Sequence, residues 1–212
     1  MGHESYNFDM GQLQKKISDY ELNSKNTNTY ISNVTDKEIQ IDLDFTNLKD
    51  HFNQSNFLSM PIKYNQSLGI DRVIAAYYAF KKWDKACIID SGTFTTVDFV
   101  SPKGFLGGYI LPGLELLKKT YLSGVNLKGF TPTLSEGLDL PHNSQDSINS
   151  GLTTVFIAPI NKLLEGLPQK DILITGGQSL ELSKFIKGNG ASIHLDVNLI
   201  HNSMRLIHED GL

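Results

Sequence analysis

A mixed α/β fold, a sheet flanked by helices, is what this sequence predicts. Three observations carry that expectation. Ala86-Cys87-Ile88-Ile89 and Asp171-Ile172-Leu173-Ile174-Thr175 are short apolar runs, the pattern of strands buried on both faces. Residues 71–83, 114–122 and 144–164 space their apolar side chains at helical intervals. The order matters as well: strands adjoin one another first and then alternate with helices.

The first sixty residues are polar and weakly periodic, with a short strand expected over 29–34 (TYISNV) and a short helix over 47–52. The helix over 71–83 (DRVIAAYYAFKKW) presents Val73, Ile74, Tyr77 and Tyr78, with Asp71 as its expected N-cap. Strand 86–89 ends in the turn residues Asp90-Ser91-Gly92-Thr93, and a second strand over 95–100 turns at Ser101-Pro102-Lys103-Gly104. A third strand, 106–111, runs through Pro112-Gly113 into helix 114–122. Gly124, Gly129, Pro132, Gly137 and Pro141 mark 123–142 as an extended connection. Helix 144–164 follows, with Ser144 as cap and a kink expected at Pro159. Strand 171–175 stops at Gly176-Gly177, and a helix over 179–186, a strand over 191–195 and a helix over 197–207 close the chain.

Charge and composition narrow the function. Nineteen Lys plus Arg against 23 Asp plus Glu give a net charge of −4, without a long block of either sign. Nucleic acid and anionic membranes need clustered cations, so neither is an expected partner. Cys87 is the single cysteine, which leaves no internal disulfide and suits a reducing compartment. Without an apolar run of membrane-spanning length or a signal-peptide layout, a soluble, cytoplasmic protein is expected. The six histidines are scattered, Gly-x-Ser-x-Gly does not occur, and neither the P-loop nor Gly-x-Gly-x-x-Gly spacing is met.

Four stretches can carry chemistry. Asp90-Ser91-Gly92-Thr93-Phe94-Thr95-Thr96-Val97-Asp98 puts a carboxylate at the end of a buried strand, where open α/β sheets bind ligands. Its hydroxyls and turn amides suit phosphate oxygens, and its carboxylate suits a cation. The same residues also make an ordinary hairpin turn. Leu68-Gly69-Ile70-Asp71-Arg72 holds one of only two arginines; a guanidinium recognises a carboxylate in a bidentate way, and Asp71 can take a proton from an alcohol. It also reads as a plain helix start. Gly107-Gly108-Tyr109-Ile110-Leu111-Pro112-Gly113 and Ile174-Thr175-Gly176-Gly177 are apolar strands that end in glycine and open a helix, a setting for phosphate on backbone amides.

In this order the four stretches resemble the type III pantothenate kinases, the Bvg accessory factor-like family, over about residues 30–212. That family shows Gly-Ala-Asp-Arg, Asp-x-Gly-Thr-Ala-x-Thr-x-Asp, Gly-Gly-x-Ile-x-Pro-Gly and a later Thr-Gly-Gly. The resemblance implies an actin-like (acetate and sugar kinase/heat-shock ATPase) fold of two RNase H-like halves, with 1–83 as the remainder of the first and 84–212 as the second, usually in a homodimer. It implies transfer of the γ-phosphate of ATP to the 4′-hydroxyl of pantothenate, the first step toward coenzyme A, with Mg²⁺ and potassium or ammonium. Asp71 would then be the general base. Tyr64, Gly69, Ile70, Arg72 and Ser144 would contact pantothenate, with Arg72 on its carboxylate. Asp90 would hold the monovalent cation, and Gly92, Thr93, Gly176 and Gly177 would meet ATP.

Two departures stand out. Phe94 replaces the family's Ala and is expected to crowd the turn. The family's opening Asp-x-Gly-Asn-Thr phosphate loop, whose Asp handles Mg²⁺, has no counterpart here; Asp9-Met10-Gly11-Gln12 follows polar residues instead of a buried strand. Met1 is therefore expected to fall inside the second or third strand, about twenty to thirty residues late by motif spacing. A non-catalytic or regulatory relative of the family is the alternative expectation.

Overall fold

The computed structural model describes residues 29–32, 45–53, 55–65, 67–124, 127, 129–137, 139–166 and 170–212. Residues 9–12 and the end of the strand expected over 29–34 lie outside them. The elements are β1 (Tyr30–Ile31), β2 (Thr46–Asn47), β3 (Asn56–Phe57), β4 (Met60–Pro61), α1 (Ile70–Lys82), β5 (Ala86–Ser91), β6 (Phe94–Ser101), β7 (Gly104–Pro112), α2 (Leu114–Leu122), α3 (Ser144–Gly166), β8 (Asp171–Thr175), α4 (Ser179–Ser183), β9 (Ser192–Leu195) and α5 (Leu199–Glu209). A 3-10 turn, Leu48–His51, lies within the short helix expected over 47–52.

Strands β5 to β9 form one sheet in the order β7-β6-β5-β8-β9. The β5–β6 and β6–β7 pairs are antiparallel, whereas β8 joins β5 and β9 joins β8 in parallel. Side chains alternate across a strand, so an apolar run feeds two cores. Ala86, Ile88 and Leu173 pack with Val73, Ile74 and Tyr77 of α1 and with Leu199 and Ile207 of α5. Cys87, Ile89, Ile172 and Ile174 pack on the other face with Leu114 of α2, Leu152, Phe156 and Ile160 of α3 and Leu182 of α4. Burying a Val, Ile or Leu side chain fully is worth about 1.5–3 kcal/mol, which is why β5 carries only apolar residues before Asp90. Helix α1 lies before the half-boundary expected at residue 83, yet shares the core of the sheet.

Several boundaries differ from the sequence expectation, each for a local reason. Helix α1 starts one residue before Asp71, and Gly69 is its N-cap. Asp71 is not the cap; its carboxylate accepts the Arg72 N–H at 2.9 Å from inside the first turn. Helix α3 is capped by Asn143 and not by Ser144, since Asn143 Oδ1 accepts the Asp146 N–H at 2.9 Å. It continues past Pro159 to Gly166. The carbonyl left without a donor by that proline belongs to the exposed Val155, where water can serve it.

Helix α4 is shorter than the expected 179–186 because α3 captures the chain that follows. Asn161 Nδ2 donates to Phe185 O at 3.1 Å, and Asn161 Oδ1 accepts the Lys187 N–H at 2.9 Å. Helix α5 starts at Leu199 because Asp196 Oδ1 takes the Asn198 N–H at 3.0 Å and holds 197–198 in a turn. The long connection after α2 is irregular and rides on α3, where Asn149 Oδ1 and Thr153 Oγ1 accept the N–H groups of Thr133 and Ser135.

Candidate active site

Parallel pairing of β5 and β8 brings their carboxyl ends to one edge of the sheet. Asp90 stands opposite Thr96 on β6 and Thr175 on β8. The Asp90-Ser91-Gly92-Thr93 and Thr175-Gly176-Gly177 stretches therefore meet, although 82 positions separate Thr93 from Thr175.

Glycine makes this meeting possible. Gly176 has φ +91°, and a Cβ there would lie 2.4 Å from Asp90 Oδ1 and 2.5 Å from Ser91 O. A Cβ on Gly113, the N-cap of α2, would lie 2.3 Å from Gly92 O and 2.4 Å from Thr93 O. Two connections thus press on the turn after β5 from different sides. The Gly113 N–H donates to Thr93 O and the Gln178 N–H to Ser91 O, each at 3.1 Å. With its amide nitrogen facing the turn, the Gln178 side chain adds bonds to Ser91 O at 2.8 Å and Gly92 O at 3.1 Å. Replacing Gly176 by Ala should cost on the order of 2–4 kcal/mol, from a positive-φ side chain and an overlap with backbone. Urea unfolding of Gly176→Ala measures it, and a midpoint equal to the parent's would contradict the close packing.

On the α1 face of the sheet, alternation places Asp90 and Asp98 on the same side as Asp71. Burial raises the Asp90 carboxyl to about 6, and the neighbouring Asp71 and Asp98 charges push it the same way. Among the described residues, no Lys or Arg pairs with Asp71 or Asp90; the one guanidinium nearby belongs to Arg72, and Asp98 takes it. Arg72 Nε lies 3.0 Å from Asp98 Oδ2 and 3.2 Å from Oδ1, with Nη2 on Oδ1 as well. The guanidinium also rests against the rings of Tyr64 and Phe105, 5.6 and 5.9 Å from their centroids. The group expected to meet a ligand carboxylate is instead held inside the protein, 8% exposed.

Three carboxylates against one guanidinium leave this cleft negative, and a bound cation would relieve it. Asp90 suits a monovalent cation, since a single raised carboxylate offers hard oxygen and charge. Among the described residues no group of three or more His, Cys, Asp or Glu is placed to hold a metal ion together. A divalent ion at such a site characteristically takes one or two carboxylates and completes its shell on substrate phosphates.

Thr93 and Gly177 are exposed at the rim, open to a ligand, while Gly92 and Gly176 are half-buried beneath them. Phe94, expected to crowd the turn over the phosphates, is 56% exposed beside it. Gly107 and Gly108 lie within β7 and open no helix; only Gly113 of that stretch stands at a helix start. Ser144 lines a separate hollow of about 430 Å³ with Leu127, Pro141, His142, Asn143, Ser147 and Ile148, none of them a cleft residue. Sequence reasoning gave no role to Gln178, and none to Asp98 beyond quoting it. Asp98 had a signal in the sequence as the last position of the Asp90 motif; Gln178 had none.

Comparison with known proteins gives the family. A family profile for type III pantothenate kinase matches residues 11–166.

The chain belongs to the type III pantothenate kinase family.

A type III pantothenate kinase of Acinetobacter baumannii is 29% identical over 132 residues, covering 62% of this chain and 54% of the relative. One of Alcanivorax borkumensis is 32% identical over 123 residues, covering 55% and 50%. The chain thus spans about half the length of the curated relatives it matches. A crystal structure from Campylobacter jejuni, described as a Baf family transcriptional activator, superposes with a TM-score of 0.57 at 27% identity, covering 78% of this chain and 72% of that one. The fold is accordingly the actin-like one that the resemblance implies. The profile match ends before Thr175, so a role for Gly176 and Gly177 rests on where the fold puts them. Among the described residues no helix is long and apolar enough to cross a membrane.

Proposed function

We propose that this protein transfers the γ-phosphate of ATP to the 4′-hydroxyl of pantothenate, the step that opens coenzyme A biosynthesis. The observation that carries the reading is the approach of Asp71 to Asp90 at the sheet edge where Gly113 and Gly176 close on the Asp90 turn. Family membership supplies the substrate class.

Phosphoryl transfer asks a protein mainly to position reactants and offset charge. Asp71, which pairs with no Lys or Arg among the described residues and sits at the helix start, takes the hydroxyl proton as the new O–P bond forms and the bond to ADP breaks. Tyr64 and Gly69 border α1 on the substrate side, where Ile70 is buried and offers only its main chain. Thr93 and Gly177 meet the triphosphate from the rim, with the half-buried Gly92 and Gly176 forming the turns beneath them. Asp90 holds potassium or ammonium, which would supply positive charge beside the phosphates, and Mg²⁺ arrives with the nucleotide. A homodimer belongs to the same reading; the exposed Leu106, Tyr109 and Ile110 on edge strand β7 are the surface in its favour.

Incubation with ATP, Mg²⁺, potassium and pantothenate, followed by mass spectrometry, tests the proposal. Pantothenate-dependent ADP release with 4′-phosphopantothenate as product is expected. ADP release indifferent to pantothenate, or activity on another alcohol in a substrate panel, would overturn the substrate assignment. No turnover with any acceptor would favour a relative that keeps the fold without the chemistry.

A further inference from the structure

We infer that Asp98 is a positioning residue for Asp71, acting through Arg72 and in space that Gly108 leaves open. The inference deepens the kinase reading and rests on it only for its catalytic consequence.

Asp98 is 2% exposed and sits in the middle of β6, opposite Ile88 on one side and Gly108 on the other. A Cβ on Gly108 would lie 2.0 Å from Asp98 Oδ1 and 2.5 Å from Val97 O, so any larger residue there evicts the carboxylate or moves the strand. That gives Gly108 a purpose within a strand, where it makes no turn and opens no helix. From this slot Asp98 grips Arg72 through Nε and Nη2. Tyr64 and Phe105 hold the guanidinium from their ring faces.

Arg72 immediately follows Asp71 in the first turn of α1, and its N–H donates to Asp71 Oδ1 at 2.9 Å. Anchoring the Arg72 side chain to the sheet therefore fixes the backbone that carries the Asp71 carboxylate. Gly69 adds a second constraint, because a Cβ there would stand 2.5 Å from Asp71 Oδ1. An ion pair buried this deeply is a rigid link, since freeing either partner strands a charge away from water. Arg72 is consequently engaged by Asp98 and does not read the substrate carboxylate.

The experiment compares Asp98→Asn, Gly108→Ala and Arg72→Met with the parent chain in two ways. Amide hydrogen exchange should speed up roughly tenfold or more over residues 70–74, with residues 77–82 and α5 close to the parent. Unchanged exchange at the first turn would overturn the inference, and so would a uniform rise across α1 and α5, the mark of general destabilisation. Turnover of pantothenate and of its neutral primary amide should fall by the same factor in Asp98→Asn and Arg72→Met, with KM for each within about twofold of the parent. Selective loss of the acid over the amide would show Arg72 reading the carboxylate and would sink the claim. If the parent turns over neither compound, the kinase reading falls, and exchange still decides whether Asp98 holds the turn.

Discussion

Asp71→Asn is expected to lower kcat for pantothenate about 10²- to 10⁴-fold, the range a positioned general base supplies. The argument depends on how little else Asp71 does. It is only partly buried, and its described side-chain bond is the one it accepts from the Arg72 N–H. Asparagine keeps an oxygen for that bond and nearly the same volume, so α1 should retain its start. What is lost is the ability to receive a proton. KM for pantothenate should stay within a few-fold, because the hydroxyl can still be held while it cannot be deprotonated. Steady-state kinetics beside a circular dichroism melt would check both halves. Turnover within threefold of the parent would remove Asp71 from the chemistry.

The second large effect is a gain of stability bought with function, at Asp90. Its carboxyl is raised from the ordinary range to about 6 by burial first and by Asp71 and Asp98 second. A carboxylate that binds its proton more tightly folded than unfolded makes the native state lose stability as pH rises. The penalty is absent below about pH 4, where both states are protonated, grows between about 4 and 6, and is constant above. Asp90→Asn removes it. The variant should match the parent near pH 4 and exceed it at pH 8 by on the order of 2–3 kcal/mol. Turnover should collapse in the same protein. Potassium should raise the parent's melting temperature at pH 8 and leave that of Asp90→Asn nearly unmoved, because the variant lacks the carboxylate proposed to hold the ion. Denaturant curves at the two pH values, with and without potassium, measure all of this. A variant less stable than the parent at pH 8 would mean that Asp90 is paired in solution and the cleft is not electrostatically strained.

How much of this was legible in the sequence depended on which interactions are local. Strand 171–175 and helix 114–122 were read to the residue, because an apolar run bounded by turn residues and a helical period need no distant partner. The ends of α4 and α5 were not, since side chains elsewhere set them: Asn161 on α3 captures the chain after α4. Asp71 was mistaken for a cap because Gly69, with no side chain to announce itself, takes that position.

The same division runs through the cleft. Asp71, Asp90 and the Gly176 turn were visible as motifs, and their order carried the family resemblance. The partnership of Arg72 with Asp98 was not visible, because the two lie 26 positions apart and on different elements. An arginine beside a candidate general base reads as a ligand contact in sequence; the fold adds a buried carboxylate, Asp98, that it also meets. Gly108 was read only as part of a glycine-bearing stretch suited to phosphate, for a related reason: the paired strand reveals what its missing side chain makes room for.

The central claim is that Asp71 and Asp90 share one cleft, and carboxyl-carbon NMR of aspartate-labelled protein tests it without relying on turnover. The account predicts one aspartate resonance titrating near pH 6, absent from Asp90→Asn, whose midpoint moves down in Asp71→Asn as the neighbouring charge disappears. A midpoint that stays where it was when Asp71 is neutralised would place the two carboxylates in separate surroundings and contradict the account.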